Sequence, residues 1–221
     1  MRSYNIGVIP GDGIGPEVIR EGVKVLERVA VAAGFRCEWK EYPFSADTYL
    51  KRGVLVTDEE LESIGKTDAI YFGAMGDPRV PEKVLQAGGI LRLRFHFDQY
   101  INLRPIKLYR GVDTPLKDKG PEDINFICVR ENSEDLYVGL GGRFEGTQSH
   151  HELTLKRKLY EANFSVDVKM DTKQEFAFQL GAMSGVNAER VLRYGFELAR
   201  KKGWNRVTIV DKWNVLTDMY G

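Results

Sequence analysis

Three arginines stand near the ends of apolar segments: Arg94 in LRLRF, Arg104 in NLRP and Arg130 in VREN. A guanidinium grips a carboxylate through two parallel hydrogen bonds, so three that converge would suit a substrate with two acid groups. The competing reading is three unrelated surface ion pairs, and spacing alone leaves both open. Tyr137 follows Arg130 after the acidic stretch ENSED. A phenol beside guanidinium groups can act as a general acid, or it can simply pack. Lys212 closes the run RVTIVDK. Desolvated or set beside other cations, a lysine can serve as a general base; otherwise it is a surface charge. His150 and His151 are adjacent, with no third ligand at a metal-site spacing, and read as solvated turn residues. Cys37 and Cys128 show no histidine partner and read as core.

These groups need elements to hold them. Tyr4 to Pro10 reads as a short apolar strand, and Pro16 suits the start of a helix. Val18, Ile19, Val23, Leu26, Val29, Ala30 and Ala33 then recur at helical spacing, and Gly34 ends the run. FRCEWKEY alternates like a half-buried strand. Thr57 with Glu60 forms a capping box before a short helix, and DAIYFGA reads as a buried strand. The pattern is β-α-β-(α)-α-β, that of a parallel sheet covered by helices. GGILRLRFHFDQ fits both a strand and a helix. YINLRPIKL and INFICVREN read as strands, and GLGGRFEGT as a glycine-rich turn region. HELTLKR, FSVDVKM and EFAFQLG read as three strand-like pieces of an extended hairpin element. Asn187 is expected to cap an amphipathic helix closed by Gly203. RVTIV reads as a buried strand. GDGIGPE departs from the dinucleotide fingerprint G-x-G-x-x-G and reads as a tight turn between strand and helix.

Composition narrows the class. The chain has 221 residues, 43% hydrophobic and 29% charged, with 32 basic and 32 acidic side chains. That balance gives no electrostatic footprint for nucleic acid or a membrane surface. No apolar run reaches the roughly 18–20 residues that span a bilayer, and the N-terminus lacks a signal-peptide pattern. Two distant cysteines without a CxxC motif point to a cytoplasmic protein with reduced thiols.

Taken in order, VIPGDGIGPEV, LRLRF, NLRP, VRENSEDLYVG and VDKWNVL resemble the β-decarboxylating hydroxyacid dehydrogenases, which include the isopropylmalate, isocitrate and tartrate/D-malate enzymes. The resemblance implies an α/β fold of two domains, with a parallel-rich sheet and a dimerising β-arm. The first domain would cover 1–99 and the second 100–221, its arm at about 145–182. It implies oxidation of a 2-hydroxy-3-carboxy acid, with hydride transfer to NAD, loss of CO₂ and dependence on Mg²⁺ or Mn²⁺. By position, Arg94, Arg104 and Arg130 match the carboxylate clamp. Tyr137 matches the acid that protonates the enolate. Lys212 matches the base, reaching in from the partner subunit of a homodimer. Asn214 and Ile14 match positions beside the cofactor. Leu91, with Ile90, would face the substrate; their apolar side chains argue against isocitrate and leave the isopropylmalate and D-malate/tartrate branches open.

The same resemblance marks departures. Family members continue beyond the lysine into a segment carrying the metal-binding aspartates and the adenine-binding loop; Asp211 and Asp218 do not match those ligands. Two expectations follow: a fragment of a longer dehydrogenase, or a truncated, non-catalytic homologue that dimerises with a complete subunit. Either way, the 221 residues alone should show little turnover. Ala87 and Gly88 stand where larger or polar residues are usual, and the 152–182 region is longer than its counterparts.

Overall fold

β1 (Arg2–Gly11) forms the middle of a three-stranded parallel sheet of order β2-β1-β3, with β2 at Phe35–Glu41 and β3 at Ala69–Ala74. The computed structural model describes residues 1–220 and divides into two units, Met1–Phe97 and the chain from Asp98 onward. Helices cover both faces of the sheet in the first unit. On one face lies α1 (Gly15–Ala33), its Ile19 against Gly73 and its Gly22 against the Tyr71 hydroxyl. On the other face Gly7 abuts Ile64 of α3 (Asp58–Ile64), and Ile9 and Phe72 join a core with Phe44, Val56 and Leu61. Phe44, Ile9, Ile64 and Val56 are fully buried, each contributing roughly 1.5–3 kcal/mol of apolar transfer.

Local signals read from sequence set several boundaries. Gly34 takes the left-handed conformation (φ 74°) and returns its N–H to the Ala30 and Val31 carbonyls. Thr57 and Glu60 form both halves of a capping box at α3. Ser45 caps α2 (Ala46–Arg52). The ambiguous stretch is helical: α4 (Glu82–Leu85), a π-turn at Gln86–Ile90, then α5 (Leu91–His96). Leu85 and Leu93 enter the core from it, and Gly89 lies so close to Leu55 and Met75 that a side chain would not fit. β3 is half-buried rather than buried.

The second unit begins with an antiparallel ladder of β4 (Ile101–Lys107) and β5 (Asn125–Glu131). There follows a ribbon of two 22-residue strands, β6 (Asp135–Lys156) and β7 (Glu161–Ala182). The sequence suggested three pieces here, but FSVDVKM and EFAFQLG belong to one strand, and GLGGRFEGT lies within β6 instead of forming a turn. Gly142 serves packing: a Cβ there would fall 2.6 Å from the His151 ring and 2.7 Å from Phe178.

The ribbon doubles back on itself. Val138 and Leu155 share one apolar cluster, although about 56 Å would separate them along a straight strand. The pairing breaks between Gly146 and Gln148, where the fold-back occurs. The apolar face turns inward, bringing Leu140, Leu153, Phe164 and Leu180 together.

α6 (Gly185–Lys202) is capped by Ser184, three residues before the expected Asn187, which is instead fully buried inside the helix. Gly203 closes it in the left-handed conformation, as read. RVTIV is not a strand. It pairs with no neighbour among the described residues, and Val207, Ile209 and Val210 are exposed. A β-branched run signals a strand, but without a sheet edge to join it stays irregular. A short helix, α7 (Thr217–Tyr220), ends the described chain. No described helix is long and apolar enough to cross a membrane.

Candidate active site

The β4–β5 register builds the centre of the site. Asn102 and Arg104 are two residues apart, so they share a face of β4. Asn102 lies opposite Arg130, and Arg104 opposite Cys128. Arg104 and Arg130 are therefore diagonal neighbours on one face, a relation that puts Cα atoms about 7–8 Å apart. The Arg130 guanidinium sits over the Tyr137 ring, 4.7 Å from its centroid. The structure thus brings Arg104, Arg130 and Tyr137 together. Cys128 is exposed on this same face and Cys37 is only half-buried, so the core reading of both cysteines is corrected. The signal was available, because Cys128 is two residues from Arg130 in a strand.

Neither Arg104 nor Arg130 makes an ion pair among the described residues. The Nε of Arg104 donates to the Asn102 side chain at 3.1 Å. Other arginines are committed to structure. Arg190 holds Asp98 with two bonds of 2.8 and 2.9 Å, donates to Asn187 and stacks 3.9 Å from the Tyr100 ring centroid. Arg92, two residues before Arg94, pairs with Asp58 at 2.6 Å and donates to the Val56 carbonyl. Two guanidinium groups thus share one face without an ion-pair partner among the described residues, and guanidinium is the side chain whose fork matches a carboxylate.

The stretch ENSED positions Tyr137. Glu131 accepts from the backbone N–H groups of Ser133 and Glu134 and from the side chains of Ser133 and Asn187. Burial pushes the Glu131 carboxyl up, but the bonds from Asn187 and Ser133 outweigh it and hold the group below its ordinary range. Glu134, 1% exposed, accepts from the Tyr160 hydroxyl at 2.7 Å and from the Ser184 hydroxyl and N–H at 2.8 and 2.6 Å. Burial, then the bond to Glu134, pushes the Tyr160 phenol up to about 12. Asp135, at φ 58°, starts β6 and accepts from the Tyr220 hydroxyl at 2.7 Å. Sequence reasoning passes over Glu131, Glu134 and Arg190, and takes Asn187 only as a helix cap; ENSED reads only as an acidic stretch.

The remaining site residues stand elsewhere. Arg94 and Leu91 are half-buried on α5 of the first unit. Ile14 precedes α1 and is 68% exposed. Lys212 and Asn214 are exposed in a turn whose backbone is closed by the Lys212 carbonyl. His150 and His151 lie in β6, not in a turn. His150 bridges Glu152 and Asp167 at 2.7 and 2.9 Å, while His151 packs edge-on to Phe178.

The GDGIG loop crosses the carboxyl ends of β1 and β3. Asp12, 8% exposed, accepts from the Ala46 N–H at 2.7 Å and the Gly76 N–H at 3.1 Å. Its carboxylate occupies donors that a phosphate would need. Gly11 is required here, because φ is +76° and a Cβ would fall 1.8 Å from the Ala74 carbonyl oxygen. A cavity of about 400 Å³ opens next to this loop, lined by Met75, Asp77, Val80, Glu82 and Leu85. Among the described residues no group of three or more His, Cys, Asp or Glu is placed to hold a metal ion.

A profile of the isocitrate/isopropylmalate dehydrogenase family matches residues 5–220. The chain belongs to this family. It is 40% identical over 216 residues to the 3-isopropylmalate dehydrogenase of Thermobifida fusca, covering 98% of this chain and 54% of that protein. It is 41% identical over 218 residues to the enzyme of the same name from Bifidobacterium longum, covering 98% and 55%. The chain thus spans about half the length of the curated relatives it matches. Among solved structures it is similar to a Thermus thermophilus protein (TM-score 0.67, 31% identity, 97% of this chain and 36% of that one). It is also similar to the β-decarboxylating dehydrogenase of Thermococcus kodakarensis in its apo form (TM-score 0.58, 30% identity, 98% and 51%). An α/β fold with a parallel sheet is common ground with these family members.

Proposed function

We propose that this chain carries the substrate clamp and acid–base groups of an NAD-dependent dehydrogenase that decarboxylates a 2-hydroxy-3-carboxy acid of the isopropylmalate or D-malate/tartrate type. One observation carries the reading: Arg104 and Arg130 share a ladder face without a carboxylate partner among the described residues, and Tyr137 lies under Arg130. The guanidinium groups of Arg104 and Arg130 bind the substrate carboxylates, with Arg94 as the third member of the clamp. Asn102 orients the Arg104 fork through its Nε and leaves the terminal nitrogens for the ligand. Leu91 supplies an apolar wall for the C3 substituent. The Tyr137 hydroxyl delivers the proton to C3 after CO₂ leaves. The Nζ of Lys212 takes the proton of the C2 hydroxyl; its exposed position favours delivery to a partner subunit in a homodimer.

NAD fits the first unit. β1 lies between β2 and β3, with its crossover helices on opposite faces, so the chain reverses direction at the carboxyl ends of β1 and β3, where open α/β sheets bind ligands. Ile14 is exposed in the loop that follows β1, and a cavity of about 400 Å³ opens after β3, lined by Met75, Gly76 and Asp77, within the usual range for small-molecule sites. Ile14 and Asn214 match the family's positions beside the cofactor; NAD, when bound, would supply the acceptor for the C2 hydride. A resident Mg²⁺ or Mn²⁺ finds no ligand cluster among the described residues, and no step is assigned to it.

The intact native polypeptide, given NAD and Mg²⁺, is expected to form NADH and CO₂ in equal amounts from 3-isopropylmalate or D-malate. Absence of NADH with every 2-hydroxy-3-carboxy acid would overturn the reading. The shared site has its own test: Tyr137→Phe and Lys212→Met polypeptides, each inactive, should recover activity when mixed.

A further inference from the structure

The tip of the folded ribbon reaches the turn that presents Tyr137. Arg157 and Tyr160 close that tip through a bond between the Arg157 N–H and the Tyr160 carbonyl at 2.9 Å. The Arg157 side chain donates to the Ser133 carbonyl at 2.9 Å and to the Tyr137 carbonyl at 3.4 Å. The Tyr160 hydroxyl donates to Glu134, which the same carboxylate links to the start of α6 through Ser184. The Tyr137 N–H in turn donates to the Glu134 carbonyl at 3.1 Å. Two tip residues thus hold both ends of the five-residue turn between Ser133 and Tyr137.

We infer that Tyr160 and Arg157 are positioning residues for Tyr137: the ribbon tip fixes the angle at which the Tyr137 ring meets the Arg130 guanidinium. The inference rests on the proposed role of Tyr137 for its catalytic meaning, but the mechanical link is testable without turnover. The bonds from Arg157 to the Ser133 carbonyl and from Tyr160 to Glu134 lie between partly buried groups and carry the link as oriented bonds; the longer bond from Arg157 to Tyr137 is exposed to solvent. Tyr160 supplies one donor to a carboxylate that keeps two others, so removing its hydroxyl loosens the turn without stripping Glu134.

The test uses the chain labelled with 3-fluorotyrosine and observed by ¹⁹F NMR. The Tyr137 signal is assigned by its loss in Tyr137→Phe, and Tyr109, exposed in the β4–β5 connection, is the internal control. Tyr160→Phe is expected to shift the Tyr137 signal by more than its linewidth and to leave Tyr109 in place. Arg157→Lys, which keeps the charge but cannot span both carbonyls, should shift the same signal and covers the case in which Tyr160→Phe fails to fold. An unmoved Tyr137 signal in a folded variant overturns the inference, and so does equal movement of Tyr109, which would mark a merely global effect. Titrating the unaltered chain with D-malate tests the site reading separately: a Tyr137 signal insensitive to D-malate counts against the dicarboxylate clamp, whereas the variant shifts report only on the link.

Discussion

Replacing Arg130 with lysine probes the clamp most directly, because it keeps the charge and removes the geometry. In the proposed clamp Arg130 offers a planar fork to the anion, and its guanidinium sits 4.7 Å from the Tyr137 ring centroid. A lysine offers one rotatable ammonium and cannot do both at once. Losing one charge-assisted hydrogen bond of a bidentate pair removes about 1.5 kcal/mol from the complex; the cation–π contact is already present without ligand and does not enter the difference. That loss corresponds to roughly a 10-fold weaker complex with a di-acid. Ligand-detected NMR titration with D-malate and with lactate, a 2-hydroxy mono-acid, reads this out. The di-acid should weaken by that factor and the mono-acid by far less, since Arg104 remains to hold one carboxylate. A change of under threefold for D-malate, or equal losses for the two acids, would refute the clamp geometry.

Four other substitutions have expected outcomes. Thr57→Ala removes the serviceable half of the α3 capping box and should lower the stability of the first unit by about 1 kcal/mol in urea unfolding. Gly11→Ala puts a methyl group onto the Ala74 carbonyl oxygen in a left-handed backbone; the chain should fail to give a cooperative melt, whereas Gly34→Ala, with open space around it, should only lower the midpoint. The Tyr160 and Tyr220 phenols are both held up to about 12 against an ordinary 10.0. Their raised values stabilise the fold fully below pH 10, and that contribution is lost as pH rises through 12. Absorbance at 295 nm should therefore show a late-ionising pair, and Tyr160→Phe should flatten the loss of stability across that alkaline window.

Much of the first unit was legible because its signals are local. The Gly34 stop, the Thr57–Glu60 box and the β-α-β alternation each act over a few residues, and each is found where the sequence puts it. The second unit was less legible because its order depends on distant contacts. The glycines of GLGGRFEGT read as a turn, yet Gly142 is there to admit His151 and Phe178 from across the folded ribbon. Asn187 read as a cap by residue type, yet it is consumed by Glu131 and Arg190, so the cap falls to Ser184. RVTIV has the composition of a strand, but composition cannot supply the neighbour a strand must pair with.

The site shows the same division at closer range. Arg104 and Arg130 could be named from their motifs, but their shared face follows only from the β4–β5 register, which a one-residue slip would invert. What pins Tyr137 beneath Arg130 was invisible in the motif itself. Glu131 and Glu134 are acidic residues in an acidic stretch, the composition of a solvated loop, and both are instead enclosed by donors from α6 and the ribbon. A buried carboxylate survives only when its lone pairs are filled. The donors come from Ser184, Asn187 and Tyr160, some 26 to 56 positions away in the chain. The polar core under the Tyr137 turn is therefore a product of tertiary structure, and it is what holds that turn in one geometry.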